Sequence, residues 1–324
     1  MRISVIGAGA AGSLVAYLLH AGDCEVSLYE KREERRLQLR SRGLRLCGAM
    51  EAEEELPVCA PGEADAPFDL IVLAVKAGDC GDALRPLSPF VHRNTLYLSL
   101  QDGFAAEELA GMTGKERTLA AMPWFSAEEE EDGTVRVEEL RSLVLGGLQD
   151  WTEPSGLAAV AEALGRPCAT CVGLAEDMRA EAWRRVRAAG VVSALCALLG
   201  EVPEGICTRK EIDLYACEAA EECVRVAALQ GTDLRESESP WEAAVWRCLR
   251  PPMLRDVMSG AATEATWLCG RVVEMGGREG ARTPVTSALL SMVRELERGQ
   301  RSPGMDNLRE LERRVGEEKG MSLL

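Results

Sequence analysis

From Arg2 to about Leu148, apolar runs of strand length alternate with helix-length segments: Ile3 to Ile6, Glu25 to Tyr29, Leu70 to Val75, Thr95 to Leu100, Thr118 to Met122 and Ser142 to Leu145. Strands spaced by helices in this way predict an α/β fold with a doubly wound, mostly parallel sheet. The acidic runs Glu51 to Glu55 and Glu128 to Asp132 lie between apolar segments, the second followed by Gly133. Both read as solvated turns without function.

After about Glu176 the period changes. Apolar residues recur every three or four positions, predicting helices over Met178 to Leu199, Lys210 to Gln230, Glu242 to Leu249, Glu264 to Met275 and Pro284 to Arg298. Pro203, Gly231, Pro240, Pro251 and Gly276 punctuate them. The pattern therefore divides the chain into an α/β domain at residues 1–176 and an all-α domain at residues 177–324. Trp183 reads as core. The stripe Val191, Val192, Leu195, Leu198 and Leu199 reads as core or as a dimer surface, leaving a homodimer open.

Charge and cysteine content narrow the partners. The 324 residues carry 37 Lys and Arg against 53 Asp and Glu, a net charge of −16, which repels nucleic acid and anionic membrane surfaces. A small anion remains possible at a helix N-terminus or beside an arginine. The longest apolar region, Ile3 to Ala21, is broken by glycines, and no signal-peptide pattern leads it, so no membrane span and a cytoplasmic location are expected. The 12 cysteines are scattered and read as mostly reduced and buried. Cys168 and Cys171 form one CxxC, readable as half of a zinc site, a redox pair or two small loop residues; no metal site is expected.

The chemistry starts at Gly7-Ala8-Gly9-Ala10-Ala11-Gly12, a GxGxxG placed between the strand Ile3 to Ile6 and the apolar helix Ser13 to Leu19. Gly7 permits a tight turn, Gly9 lets a pyrophosphate approach the backbone, and Gly12 lets helix and strand pack closely. The context marks a Rossmann-type dinucleotide-binding domain, hence an oxidoreductase using NADPH or NADH. Eighteen residues beyond Gly12 comes Glu30, followed by Lys31 and Arg32. A carboxylate there accepts ribose hydroxyls and repels a 2′-phosphate, whereas Lys31 or Arg32 can pair with that phosphate. The two cations tilt the balance toward NADPH, and Glu30 keeps NADH open. Lys76, after Leu70 to Val75, falls at the carboxyl edge of a parallel sheet, and Gln101-Asp102-Gly103 after the next strand forms an adjacent wall.

These motifs, followed by Val75-Lys76-Ala77, Leu100-Gln101-Asp102-Gly103, Glu181-Ala182-Trp183-Arg184-Arg185, Met253-Leu254-Arg255-Asp256, Thr263-Glu264 with Gly270, and Thr283-Pro284, make the chain resemble the ketopantoate reductases over nearly its whole length. The resemblance implies a C-terminal domain of the 6-phosphogluconate dehydrogenase type and reduction of a 2-keto acid by NADPH. It also implies a lysine on the first helix of that domain as proton donor. Here that position is Arg185, which polarises a carbonyl or holds a carboxylate more readily than it gives up a proton. The family's LQNG is Leu100-Gln101-Asp102-Gly103, its helix asparagines fall on Ala189 and Ser193, and its carboxylate-binding serine falls near Pro252. The asparagine before the last glycine is Cys269, and Glu264 is retained facing the substrate hydroxyls. The expected catalytic set is Arg185, Lys76 and Glu264. Of Arg184, Arg185 and Arg187, helical spacing lets at most two face one cleft and leaves the rest solvated. Three readings follow: reduction of a 2-keto acid, reduction of another keto, imine or alcohol substrate, and a cofactor-binding sensor or scaffold without catalysis.

Overall fold

The computed structural model describes residues 1–148, 154–168, 171–234, 239–243 and 250–320. It divides into one unit of Met1–Gln101 with Ala105–Met178 and a second of Asp102–Phe104 with Arg179–Leu324.

Among the described residues the first unit holds ten strands: β1 (Arg2–Ile6), β2 (Glu25–Tyr29), β3 (Leu44–Gly48), β4 (Ala52–Glu54), β5 (Val58–Cys59), β6 (Phe68–Leu73), β7 (Val91–Ser99), β8 (Thr118–Glu129), β9 (Val135–Gly147) and β10 (Val172–Leu174). Their order is β4-β3-β9-β8-β7-β6-β1-β2-β5, with β10 beside β9. Helices α1 (Ala10–Ala21), α2 (Glu33–Arg42), α3 (Cys80–Leu84), α4 (Ala105–Thr113) and α5 (Pro154–Gly165) connect them. Strand β1 lies between β2 and β6, parallel to both, with Ile3 opposite Val26 on one side and Leu70 on the other. Successive side chains of a strand point to opposite faces. Ile3, Val5, Leu70 and Val72 accordingly enter one core with Leu14 and Leu18 of α1, while Ile6, Ile71 and Leu73 enter another with Tyr29 and Phe68. Burial on both faces is why these strands read as continuous apolar runs.

Several expectations are corrected. The run Glu51 to Glu55 is not a turn: Ala52–Glu54 is the edge strand β4, antiparallel to β3, its charges suited to an edge that must resist further pairing. Strand β8 continues through Glu129, so only the end of the second acidic run turns, and β8 pairs antiparallel with β9. The short strands β3, β4, β5 and β10 escape a reading based on apolar runs. Cys168 and Cys171 are joined by a disulfide, their Cα atoms 5.4 Å apart.

The second unit is helical: α6 (Met178–Arg185), α7 (Val191–Leu199), α8 (Pro203–Ile206), α9 (Lys210–Leu229), α10 (Pro240–Ala243), α11 (Pro252–Ser259), α12 (Cys269–Arg278), α13 (Pro284–Glu297) and α14 (Asn307–Lys319). The expected helix Met178 to Leu199 is interrupted by a π-helical turn at Val186–Gly190. All nine residues of α7 are buried, so its apolar stripe is core. The helix expected from Glu264 begins only at Cys269, leaving Glu264 in the preceding turn. The helix expected at Glu242 to Leu249 lies outside the described residues beyond Ala243. Among the described residues no helix is long and apolar enough to cross a membrane.

Candidate functional site

Strands β2 and β5 lie on one side of β1 and β6, β7 and β8 on the other, so the strand order reverses at the carboxyl end of β1. Ligands of open α/β sheets bind at such a switch point. The glycine loop lies there, tied on both sides: the Gly7 N–H donates to the Tyr29 carbonyl at 2.8 Å, and the Ala74 N–H donates to the Ile6 carbonyl at 2.9 Å.

The three glycines differ in what surrounds them. Gly7 has φ +99°, and a Cβ there would lie 2.7 Å from the Ala74 carbonyl oxygen. A Cβ on Gly12 would lie 1.9 Å from the Gly7 oxygen. Both are required by packing. A Cβ on Gly9 would meet nothing within 4 Å. Its open edge begins a 12-residue helix whose first turn has neither an acidic residue nor a side-chain cap. Open space beside uncapped first-turn amides is the setting in which helix N-termini take up phosphate groups.

Glu30 stands beside the loop. Its side chain is 5% exposed. Oε2 accepts the Ala8 N–H at 3.0 Å, and Oε1 accepts the Arg32 N–H at 2.9 Å. The Arg32 guanidinium adds bonds to both oxygens. Burial alone would push the Glu30 carboxyl up, but the bonds and charge of Arg32 and the Ala8 N–H hold it below the ordinary carboxylate range. Arg32 also reaches Glu129, which lies 3.5 Å from Arg35. Arg35 is buried and donates to the carbonyls of Ala8 (3.0 Å) and Gly133 (2.6 Å). Lys31 turns to Asp79 at 3.0 Å.

Arg35 and Glu129 were not among the expected residues. Arg35 carried a legible signal, since it lies four residues before Leu39 on the only buried stripe of α2. Glu129 carried none, because nothing distinguishes it within an acidic run.

Lys76 precedes a 3₁₀ turn at Ala77–Asp79, two residues after Ala74. Gln101 is buried, donating to the Val75 carbonyl at 2.9 Å and accepting from Ser99 Oγ at 2.5 Å. The expected nucleotide wall divides at this point: Gln101 belongs to the first unit, whereas Asp102 belongs to the second.

There Asp102 meets Arg185. Nε and Nη2 of the guanidinium donate to Oδ1 and Oδ2 at 2.7 and 3.3 Å, with side chains 2% and 10% exposed for Arg185 and Asp102. Gly103, at φ +67°, turns the chain so closely that a Cβ would lie 3.0 Å from Leu268, Trp267 and Val186. Phe104 then stacks edge-to-face on the buried Trp183, centroids 4.9 Å apart. Arg184 pairs with Glu181. Arg187 is buried as well, so of the three arginines Arg184 alone keeps partial exposure.

The other positions read against the family motifs lie among neighbours of the second unit. Ser193 Oγ accepts the Met253 N–H at 3.1 Å, at the start of α11. Ala189 is fully buried, and burial pushes the Cys269 thiol up to about 12. Glu264 sits in a turn fixed from behind by Thr263, whose N–H and hydroxyl both donate to Glu297 Oε1 at 2.7 Å.

Residues 3–150 match the family model "Ketopantoate reductase PanE/ApbA" and residues 177–297 its C-terminal counterpart. The chain is 29% identical over 310 residues to a 2-dehydropantoate 2-reductase of Halobacterium salinarum, covering 92% of this chain and 99% of the relative. It is 26% identical over 307 residues to that of Mycobacterium tuberculosis, covering 90% and 96%. Among solved structures it is similar in fold to D-mandelate dehydrogenase with NADH and anilino(oxo)acetate, with a TM-score of 0.83 at 23% identity and coverage of 92% and 99%. A ketopantoate reductase of Ralstonia eutropha gives 0.78 at 23%, covering 93% and 99%.

Proposed function

The chain belongs to the ketopantoate reductase family, and from that premise we propose that it reduces a small 2-keto acid to the 2-hydroxy acid with a reduced nicotinamide dinucleotide, ketopantoate being the first candidate. The observation carrying this reading is the open Gly9 edge at the start of α1, beside the anchored carboxylate of Glu30. Amides of the first turn of α1 hold the pyrophosphate, and Glu30 meets the adenosine ribose. A nicotinamide dinucleotide held there would supply the hydride for the keto carbon.

Arg185, its charge compensated by Asp102, orients or polarises the substrate and does not supply the proton. Lys76, or a water ordered by Glu264, protonates the resulting oxygen. Of the other polar positions read against the family site, the helix asparagines fall on Ala189 and Ser193, the serine near Pro252 and the last asparagine on Cys269, so a substrate differing from ketopantoate in its hydroxyl groups is the second reading.

A panel of 2-keto acids offered with NADH and NADPH tests this. Turnover of ketopantoate at an ordinary enzymatic rate selects the first reading, and turnover of another keto acid alone selects the second. Absence of cofactor oxidation with every member would overturn both. Arg185→Lys adds a check: a rise in ketopantoate reduction means that the arginine had cost the enzyme its acid.

A further inference from the structure

We propose that Glu30, held by Arg32 and Glu129, makes this chain prefer NADH to NADPH. The proposal rests on the reading that the glycine loop holds a nicotinamide dinucleotide, and it deepens that reading by assigning the residue that discriminates at the ribose 2′ position.

Discrimination there is a contest between a carboxylate that accepts hydroxyls and cations that accept phosphate. In this chain the carboxylate is fixed and the cations are engaged. The Glu30 N–H donates to the Cys59 carbonyl at 3.1 Å, and Arg36 donates to the Glu30 carbonyl at 2.9 Å, so the backbone is pinned on both sides. The side chain is pinned by the Ala8 N–H and by Arg32, which also keep it ionised. Turning it outward to admit a phosphate breaks bonds to both.

Each cation on this stretch has another partner. Arg32 bridges Glu30 and Glu129. Arg35 lies beneath the loop on the Ala8 and Gly133 carbonyls. Arg36 closes on the Glu30 and Lys31 carbonyls. Lys31 pairs with Asp79; that pair is exposed and weakly held, but a swing of Lys31 leaves the buried carboxylate in place. Glu129 acts through Arg32 and is a positioning residue.

The test is calorimetric binding of NADH and NADPH to the full-length protein. Adenosine 5′-diphosphate and adenosine 2′,5′-bisphosphate serve as probes lacking nicotinamide, so the readout needs no turnover. NADH should bind at least about tenfold tighter than NADPH, and the two probes should rank the same way. Glu30→Gln should narrow the ratio at least about fivefold, chiefly by tightening NADPH, and Glu129→Gln should narrow it less. Equal or tighter NADPH binding by the unaltered protein overturns the proposal and leaves the nucleotide reading standing. An unchanged ratio in a folded Glu30→Gln also overturns it. Binding of neither dinucleotide overturns the nucleotide reading, and the proposal falls with it.

Discussion

Arg185 and Asp102, 83 residues apart in sequence, form a two-bond ion pair with both side chains buried. A buried pair of this geometry tolerates poorly the loss of one member, because the survivor stays charged away from water. Asp102→Ala should therefore destabilise the protein by about 3–5 kcal/mol, read from the urea midpoint. Asp102→Asn, which keeps one oxygen for Nε, should cost less. An unchanged midpoint for Asp102→Ala would show that the pair contributes nothing to stability.

The glycine loop separates packing from binding. Gly12→Ala places a methyl 1.9 Å from the Gly7 oxygen and should lower the melting temperature markedly. Gly9→Ala meets no protein atom and has an ordinary φ of −73°, so it should fold like the parent while weakening dinucleotide binding at least about tenfold. If Gly9→Ala binds the cofactor normally, the pyrophosphate does not approach that edge.

Glu222 holds the start of α13. Its two oxygens accept the N–H groups of Val285 and Thr286 at 2.9 and 2.8 Å, and the side chain is buried. Glu222→Ala should cost about 1–3 kcal/mol and Glu222→Gln less, since an amide oxygen still accepts. Equal losses for the two variants would assign the effect to volume instead of capping.

On the surface, hydrogen bonds from Arg313 and then Arg314 hold the Glu310 carboxyl down to about 2. The folded value lies below the ordinary 4.5. Its stabilisation is thus complete above that value and is lost as pH falls toward 2. The group is 24% exposed and screened by water, so its contribution is at most about 1 kcal/mol. Melting curves of the parent and Glu310→Gln should differ at pH 6, converge as pH falls toward 2, and differ less at high salt. A difference that grows on acidification would reverse the assigned sign.

Much of the first unit was legible because its signal is local. Strands β1, β2 and β6 are buried on both faces, and the GxGxxG lies between β1 and α1, so run length and spacing sufficed. The π turn at Val186–Gly190 was not legible, because its residues have the same apolar spacing as an uninterrupted helix. Edge strand β4 was hidden by its charge, since an edge needs no apolar run.

By itself, the sequence determined the glycine loop between strand and helix, the alternation of strand and helix before Glu176, the helical second half and the family. Each follows from residues close together in the chain, or from their order along it. Only the tertiary structure decided which partners Glu30 and Arg185 take. Glu30 is fixed by Ala8, by Arg32 and, through Arg32, by Glu129; Arg185 closes on Asp102. A long charged side chain takes its direction from partners brought near by folding, and most of these lie many residues away. No spacing along the chain records that choice.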